Sequence, residues 1–294
     1  MTYTMIQSIA KSLTDDISGK LSGSGIMFRI FSRVKTVNSI RHKVEVKYAG
    51  RKSAPKIQDT IGIRIVLYFQ DDVDVLSLFF GTGDIVKKSI DEYDSSTFRP
   101  QRLNLTKRIP EHMREDFRNS LPEEFRDIID DTYEIQIRTV FSEGWHEVEH
   151  DLRYKCQEDW NGCESYSRVL NGIIATLETA EWNMKSLFTD MARQNFLHGN
   201  YTAMIRNKMH LRIQGNGLSD NLHEFLRNNK DIAEGVMNAD RLIITYTLLT
   251  HGGNMELTYD NLLFLINRIE MMDPSLRALE PEETTMMIDR FLAS

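Results

Sequence analysis

Hydrophobic and polar positions alternate most regularly in residues 132–139, TYEIQIRT. Successive side chains of a strand point to opposite faces, so a tyrosine and two isoleucines share one side while Glu134, Gln136 and Arg138 share the other. The pattern predicts a β-strand with one face in a core. Its polar face holds a carboxylate, a carboxamide and a guanidinium along about 14 Å, at roughly 3.4 Å per residue. That row suits a metal-bound phosphate ester, although an edge strand with a solvated face has the same pattern.

Other segments alternate in the same way and predict partner strands. In residues 57–69, three isoleucines and a leucine share one face, and Arg64 lies on the opposite face. Residues 101–109 place two leucines inward, and residues 84–93 predict a further strand. Asp59 precedes the first of these strands, at an end where ligand-binding groups commonly gather.

Apolar residues recur at helical spacing between and after the strands. Residues 71–80 predict a short helix, and residues 141–155 predict a second one, with Trp145, Val148 and Leu152 as its buried stripe. A long amphipathic helix is predicted over residues 165–193, and the chain is helical again from about residue 200. We therefore predict an α+β fold, in which a mixed β-sheet is flanked by helices and followed by an all-helical C-terminal extension.

The composition is that of an ordinary globular protein, with 294 residues, 41% of them hydrophobic and 27% charged. Two cysteines, Cys156 and Cys163, support neither a zinc knuckle nor a disulfide framework and fit a reducing cytoplasm. No run approaches the roughly 18 apolar residues of a membrane span, so we expect no membrane association. The net charge of −7 argues against general binding to nucleic acid.

A basic segment departs from this acidic balance. Residues 27–64 hold ten lysines and arginines and only two acids, which is a local positive field for anionic ligands or, alternatively, a solvated basic face. Arg33 and Lys35 precede a predicted helix, and Ser39 and Lys43 are four residues apart and share its face. Lysine and arginine supply charge to phosphates, arginine adds a flat surface for a base, and serine donates a hydroxyl.

Residues 146–150, HEVEH, fit the H-E-x-x-H pattern of zinc peptidases. A zinc site would need a third ligand, for which Glu178 and Glu181 are candidates without distinguishing features. The simpler interpretation is that His150 bonds a neighbouring carboxylate or backbone group. A peptidase also leaves the basic segment and Asp59 unexplained, so we disfavour it.

Four motifs occur in a meaningful order: R-x-K-x-x-x-S-I-x-x-K from Arg33, D-x-x-G-I-R from Asp59, E-I-Q-I-R-T from Glu134, and W-x-x-x-E-H from Trp145. Together they resemble the synthetase domain of the RelA/SpoT alarmone synthetases over roughly residues 25–160. The resemblance implies a small, synthetase-only member with a nucleotidyltransferase-like synthetase domain over residues 1–195 and a helical region of unknown role over residues 196–294.

The resemblance also implies an activity: an ATP-dependent nucleotide pyrophosphokinase that transfers pyrophosphate from ATP to the 3′-hydroxyl of GDP or GTP, making (p)ppGpp with Mg²⁺. The implied ATP-binding residues are Arg33 and Arg64, around the adenine, and Lys35, Ser39 and Lys43, on the triphosphate. Asp59 would ligate Mg²⁺, and Glu134 would bind metal or act as general base, with Gln136 and Arg138 supporting the acceptor side. We expect Asp59 and Glu134 to converge on one magnesium ion.

The acceptor side departs from the family pattern. Relatives usually carry G-Y-x-S-x-H, whereas residues 97–102 are TFRPQR, so Phe98 stands for the tyrosine and Arg102 for the histidine. Glu143 stands where some relatives place an asparagine against guanine; a carboxylate accepts hydrogen bonds but donates none.

Two alternatives follow from these departures. One is a toxin-like pyrophosphokinase acting on adenine nucleotides or the 3′-CCA end of tRNA. The other is an inactive nucleotide-binding regulatory module, against which the presence of both Asp59 and Glu134 argues. The C-terminal helices are candidates for homo-oligomer formation or tRNA contact.

Overall fold

The computed structural model describes residues 2–48, 55–90, 103–251 and 255–293. It confirms the predicted α+β class, with a mixed five-stranded sheet, flanking helices and a helical C-terminal region. The strands are β1 Phe28–Val34, β2 Ile61–Leu67, β3 Ile85–Ile90, β4 Leu103–Arg108 and β5 Thr132–Thr139. The helices are α1 Thr2–Gly23, α2 Val37–Tyr48, α3 Asp71–Phe80, α4 Glu111–Ser120, α5 Val140–Glu149, α6 Glu164–Leu197, α7 Tyr201–Met209, α8 Asp220–Asn228, α9 Lys230–Asn238, α10 Arg241–Thr250, α11 Tyr259–Ile266, α12 Pro274–Arg277 and α13 Glu282–Ala293. Short 3-10 turns at Glu123–Phe125 and Gln157–Trp160 and π-helical turns at His150–Tyr154 and Asn267–Met271 complete the described elements.

The sheet has the strand order β1-β2-β5-β4-β3, which puts β5 in the middle. β4 pairs antiparallel with both β3 and β5. In the β4–β5 register, Asn104 lies opposite Gln136 and Thr106 lies opposite Glu134. A central strand is held on both edges, so the polar side chains of β5 stand on a rigid part of the sheet.

The alternation in the sequence explains the strand faces. The isoleucines at positions 61, 63 and 65 of β2 and at 135 and 137 of β5 are fully buried. Arg64 on β2 and Glu134 and Gln136 on β5 are half-buried on the opposite face. Burial of one face fixes the register, because a slip by one residue would send every isoleucine to the polar side.

Two sequence interpretations need correction. The segment before α2 is the edge strand β1, so Arg33 stands on a strand and not at the mouth of a helix. The predicted buried stripe after β5 holds only for Trp145, which is 7% exposed, whereas Val148 and Leu152 are 47% and 63% exposed. Apolar spacing shows which side chains share a helix face, but not whether anything covers that face.

The described chain divides into two compact units that are each discontinuous in sequence. The first comprises Met1–Ser18, Arg29–Val66 and Phe80–Asp159, and the second comprises Gly19–Phe28, Leu67–Phe79 and Trp160–Ser294. The predicted domain boundary after residue 195 remains a prediction. Among the described residues, no helix is both long and apolar enough to cross a membrane.

The second unit contains a buried ion pair between α3 and α10. Arg241, at the start of α10, donates to the fully buried Asp72 at 2.5 Å and lies 3.4 Å from Asp71. Burial raises the pKa of Asp72, and Arg241 opposes that rise. The pair therefore ties the first turn of α3 to a helix about 170 residues later in the chain.

Candidate active site

A cavity of about 330 Å³ lies in the first unit, over the polar face of β2 and β5. It is lined by Phe31, Ser32, Arg33, Asp59, Gly62, Arg64, Glu134, Gln136, Glu143 and Glu147. Side chains from β1, the loop before β2, the strands β2 and β5, and α5 thus meet at one place. Asp59 and Glu134 line the same cavity, as the sequence interpretation requires.

Asp59 is held by two lysines from the basic segment. Lys43 Nζ lies 2.9 Å from Asp59 Oδ1 and 2.8 Å from Oδ2, and Lys35 Nζ also donates to Oδ2. Burial is the strongest influence on Asp59 and would raise its pKa, but the hydrogen bonds and charges of the two lysines outweigh it and lower the pKa. Asp59 is therefore a carboxylate, which is the form that ligates a cation.

Arg64 reaches from β2 to the first turns of α5. Its Nη1 donates to Glu143 Oε1 at 2.6 Å and also to Glu147, and its Nε donates to Gln136 Oε1 at 3.1 Å. All of these bonds lie along the edge of the guanidinium. The two faces of the group keep the flat surface on which a base can stack.

The position of α5 follows from its cap. Thr139, the last residue of β5, accepts a hydrogen bond from the backbone N–H of Ser142, and Ser142 Oγ accepts one from the backbone N–H of Thr139. This reciprocal cap starts the helix directly at the strand end. Glu143 and Glu147 are four residues apart and therefore project from one side of the helix toward Arg64.

Glu134 receives a hydrogen bond from its neighbour on the same face. Gln136 Nε2 donates to Glu134 Oε2 at 2.8 Å. Among the described residues, this is the side-chain hydrogen bond that Glu134 makes. The predicted row of acid, amide and cation is therefore formed by Glu134, Gln136 and Arg64, with the guanidinium supplied by β2.

Phe31 is a cavity residue that the sequence interpretation missed. Its side chain is 55% exposed, and it shares a face of β1 with Arg33, two residues later. A Cβ added to Gly62 would lie 3.8 Å from Arg33 Cγ, an ordinary contact that shows the arginine stem passing over this glycine. The available signal was the two-residue spacing from Arg33, which becomes visible only once residues 28–34 are recognised as a strand.

Several predicted residues stand outside the cavity lining. Ser39 Oγ contacts the Thr36 hydroxyl at 2.9 Å at the start of α2. Arg138 is 6% exposed and donates to the backbone oxygens of Leu103 and Ile137 and to Asn104 Oδ1. These contacts join the ends of β4 and β5. Phe98 and Arg102 lie outside the described residues.

The two carboxylates fit magnesium better than zinc. Mg²⁺ is commonly held by one or two carboxylates together with substrate phosphates, and Asp59 and Glu134 supply such a pair. Across the described part of the chain, no group of three or more histidine, cysteine, aspartate or glutamate side chains is arranged to hold a metal by itself.

The H-E-x-x-H residues have other contacts. His146 is buried against Trp145, with ring centroids 5.6 Å apart. Glu147 binds Arg64, and the exposed His150 pairs with Asp151 at 2.9 Å. This matches the simpler interpretation, in which His150 bonds a neighbouring carboxylate.

Residues 32–159 match the sequence model of the RelA_SpoT family, described as a region found in RelA / SpoT proteins. No curated protein matches the chain. Similar solved structures include a GTP pyrophosphokinase family protein from Streptococcus pneumoniae, with 22% identity, a TM-score of 0.44, and coverage of 62% of this chain and 88% of that one. The small alarmone synthetase 1 from Bacillus subtilis bound to its product pppGpp has 22% identity, a TM-score of 0.44, and coverage of 63% and 92%. The resemblance to this family rests on the sequence match over residues 32–159, since both structural likenesses lie below 25% identity and a TM-score of 0.5.

Proposed function

We propose that the chain is a nucleotide pyrophosphokinase of the RelA/SpoT family, whose sequence model matches residues 32–159, and that it transfers pyrophosphate from ATP to the 3′-hydroxyl of GDP or GTP, making (p)ppGpp. One observation carries the proposal. The acids Asp59 and Glu134 line a single cavity together with Arg33 and Arg64. A nucleoside triphosphate carries phosphates, which a metal ion and cationic side chains can bind, and a base, on which flat side chains can stack.

We assign the donor nucleotide to the β1–β2 side of the cavity. Arg33 and Arg64 offer flat cationic surfaces to the adenine, and the exposed ring of Phe31 adds an aromatic one. Lys35 and Lys43 hold Asp59, and we assign both lysines to the triphosphate of ATP. Ser39, nearby in the chain, is assigned as a hydroxyl donor. Phosphoryl-type transfer depends mainly on such alignment and on cations over the developing charge.

Asp59 and Glu134 would hold Mg²⁺ in this arrangement. When bound, the metal would neutralise phosphate charge and make the pyrophosphoryl group a better electrophile. Glu134 would also accept the proton of the ribose hydroxyl, since its carboxylate lines the cavity on a rigid central strand. Gln136, Arg138 and Glu143 are assigned to the acceptor side, and Phe98 and Arg102 are placed there by the family resemblance alone.

The substrates suggest where the protein acts. ATP and guanine nucleotides are plentiful in the cytoplasm, and both cysteines are free. We therefore propose a cytoplasmic enzyme. A tRNA acceptor and a homo-oligomer formed through the C-terminal helices stay predictions.

An acceptor panel tests the proposal directly. The full chain is incubated with γ-labelled ATP, Mg²⁺ and one acceptor at a time, namely GDP, GTP, ADP, ATP or deacylated tRNA, and products are separated by thin-layer chromatography. We expect label in (p)ppGpp. Label found only in adenine nucleotides or tRNA would make the guanine assignment wrong, and ATP binding with no AMP release under any acceptor would identify a binding module.

The variant Glu134→Gln tests which residue carries the chemistry. Loss of a positioned general base costs about 10²–10⁴-fold in rate, so transfer should fall by that factor while calorimetric ATP binding persists. The matched control is Glu164→Gln, at the exposed start of α6. Full turnover in Glu134→Gln would show that Glu134 on β5 does not carry the reaction.

A further inference from the structure

Gln136 joins two functional side chains that do not bond each other. Its Oε1 accepts from Arg64 Nε at 3.1 Å, and its Nε2 donates to Glu134 Oε2 at 2.8 Å. The two hydrogen bonds connect the guanidinium on β2 to the carboxylate on β5 through one amide.

The chemistry of the two neighbours fixes the amide orientation. An arginine only donates hydrogen bonds, and an ionised carboxylate only accepts them. The amide oxygen must therefore face Arg64 and the amide nitrogen must face Glu134. A flipped amide would place two donors together at one end and two acceptors at the other. Gln136 can satisfy both partners in one orientation alone.

Arg64 is itself held firmly at its edge. Glu143 accepts from Nη1 at 2.6 Å, and Glu147 accepts from the same atom, so two carboxylates from α5 anchor the group. Charge-assisted bonds are roughly twice as strong as neutral ones, which keeps the guanidinium plane in place. Glu143 accordingly acts on Arg64 in this structure through its Oε1.

We propose that Gln136 is a positioning residue that couples the donor-base site at Arg64 to the orientation of Glu134. This rests on the proposed function, in which Arg64 stacks on the donor base and Glu134 acts on the acceptor hydroxyl. Glu143 and Glu147 fix the guanidinium that stacks on the base, the guanidinium fixes the amide, and the amide holds Oε2 of Glu134. The carboxylate is thereby aligned when the donor nucleotide is in place.

A double-mutant cycle measures this coupling. Gln136→Met keeps the side-chain length but removes both hydrogen bonds, and we expect about a tenfold lower kcat with KM for ATP unchanged, the loss of one bond to a charged group. Arg64→Ala should lower kcat and raise KM. In the Gln136→Met background, Arg64→Ala should raise KM alone. An equal effect of Arg64→Ala on kcat in both backgrounds would overturn the proposal.

Gln136→Glu distinguishes the two hydrogen bonds of Gln136. A glutamate still accepts from Arg64 but cannot donate to Glu134, so kcat should fall at least as far as in Gln136→Met. Wild-type kcat in this variant would show that the bond to Glu134 is unimportant. The matched control is Gln58→Met, because Gln58 makes a similar amide-to-carboxylate bond, to Asp130 at 3.2 Å, outside the cavity lining. Melting temperatures identify any variant that is merely unfolded.

A spectroscopic readout decides the coupling without turnover. The side-chain carboxyl carbon resonance of Glu134, assigned by its loss in Glu134→Gln, should move in Arg64→Ala. In the Gln136→Met background, Arg64→Ala should leave the Glu134 resonance at its position. An unmoved resonance in Arg64→Ala would reject the coupling. Failure of the wild-type chain to transfer pyrophosphate to any acceptor would instead reject the proposed function.

Discussion

At the scale of single residues, the cavity side chains act through partners that set their charge and direction. Asp59 remains ionised although it is half-buried, because Lys35 and Lys43 both donate to it. Arg64 is oriented by carboxylates from another element. Phe31 is different, since its exposed ring lines the cavity with no aromatic contact among the described residues.

This exposure leads to a prediction for Phe31. In Phe31→Ala, ATP binding should weaken by ~1–3 kcal/mol, the value of stacking one base on an aromatic side chain, while kcat is preserved. Phe31→Trp should keep the affinity. KM for ATP and isothermal titration calorimetry measure the change, and Tyr166→Ala, an exposed aromatic of α6, is the control. Equal affinities for wild type and Phe31→Ala would exclude the ring from the donor site.

At the scale of elements, paired side chains fix strands and helices that are distant in sequence. The cap between Thr139 and Ser142 sets the start of α5 and hence the direction of Glu143 and Glu147. The buried pair of Asp72 and Arg241 joins α3 to α10 within the second unit. Removing one partner of a buried pair is costly, because the remaining charge has nothing to compensate it.

Arg241→Met should therefore lower the free energy of unfolding by about 3–5 kcal/mol at neutral pH. Asp72→Asn in the same chain should recover part of this loss. Urea unfolding monitored by circular dichroism measures both variants. Arg212→Met, an exposed arginine of the same unit, is the control. Unchanged stability of Arg241→Met would show that the pair is not structural.

The loss in Arg241→Met should depend on pH. Burial already raises the pKa of Asp72 above its ordinary value, and Arg241 opposes this, so the variant carries a still higher pKa. The folded state then binds the proton more tightly than the unfolded state, and stability rises as the pH falls from 7 toward ~4. The difference in free energy of unfolding between wild type and Arg241→Met should therefore become smaller over this pH range. A gap that is constant from pH 7 to pH 5 would contradict the assignment to Asp72.

At the scale of the whole molecule, a chain with a net charge of −7 concentrates ten basic residues in positions 27–64. Cations that hold Asp59 come from this segment. Overall charge therefore says little about the ligand, whereas its distribution places positive side chains beside one carboxylate of the cavity.

Ligand linkage gives a prediction for the intact chain. ATP with Mg²⁺ should raise the melting temperature, since a ligand at 100 times its Kd stabilises the folded state by about 2.7 kcal/mol. Chelating the metal should reduce that shift in the wild type. In the double variant Asp59→Asn, Glu134→Gln, ATP should give the same shift with and without Mg²⁺. An identical metal effect in this variant and in wild type would show that other groups hold the magnesium.

Strands β2 to β5, and the side chains on the polar faces of β2 and β5, could be predicted from the sequence. The fully buried isoleucines in β2 and β5 appear in the sequence as a period of two, and the motifs around Asp59, Arg64 and Glu134 predict the chemistry. The strand predictions succeed because the period of two is a local property of the chain.

Tertiary structure alone decided which side chains meet. The sequence placed Arg138 in the functional row, but its guanidinium is buried against Leu103 and Asn104, and Arg64 from another strand takes the place beside Gln136. It also could not show that Val148 lies exposed while Phe31 faces a cavity. Periodicity gives the direction of a side chain relative to its own element, whereas its partners depend on strand order and helix placement, which are non-local.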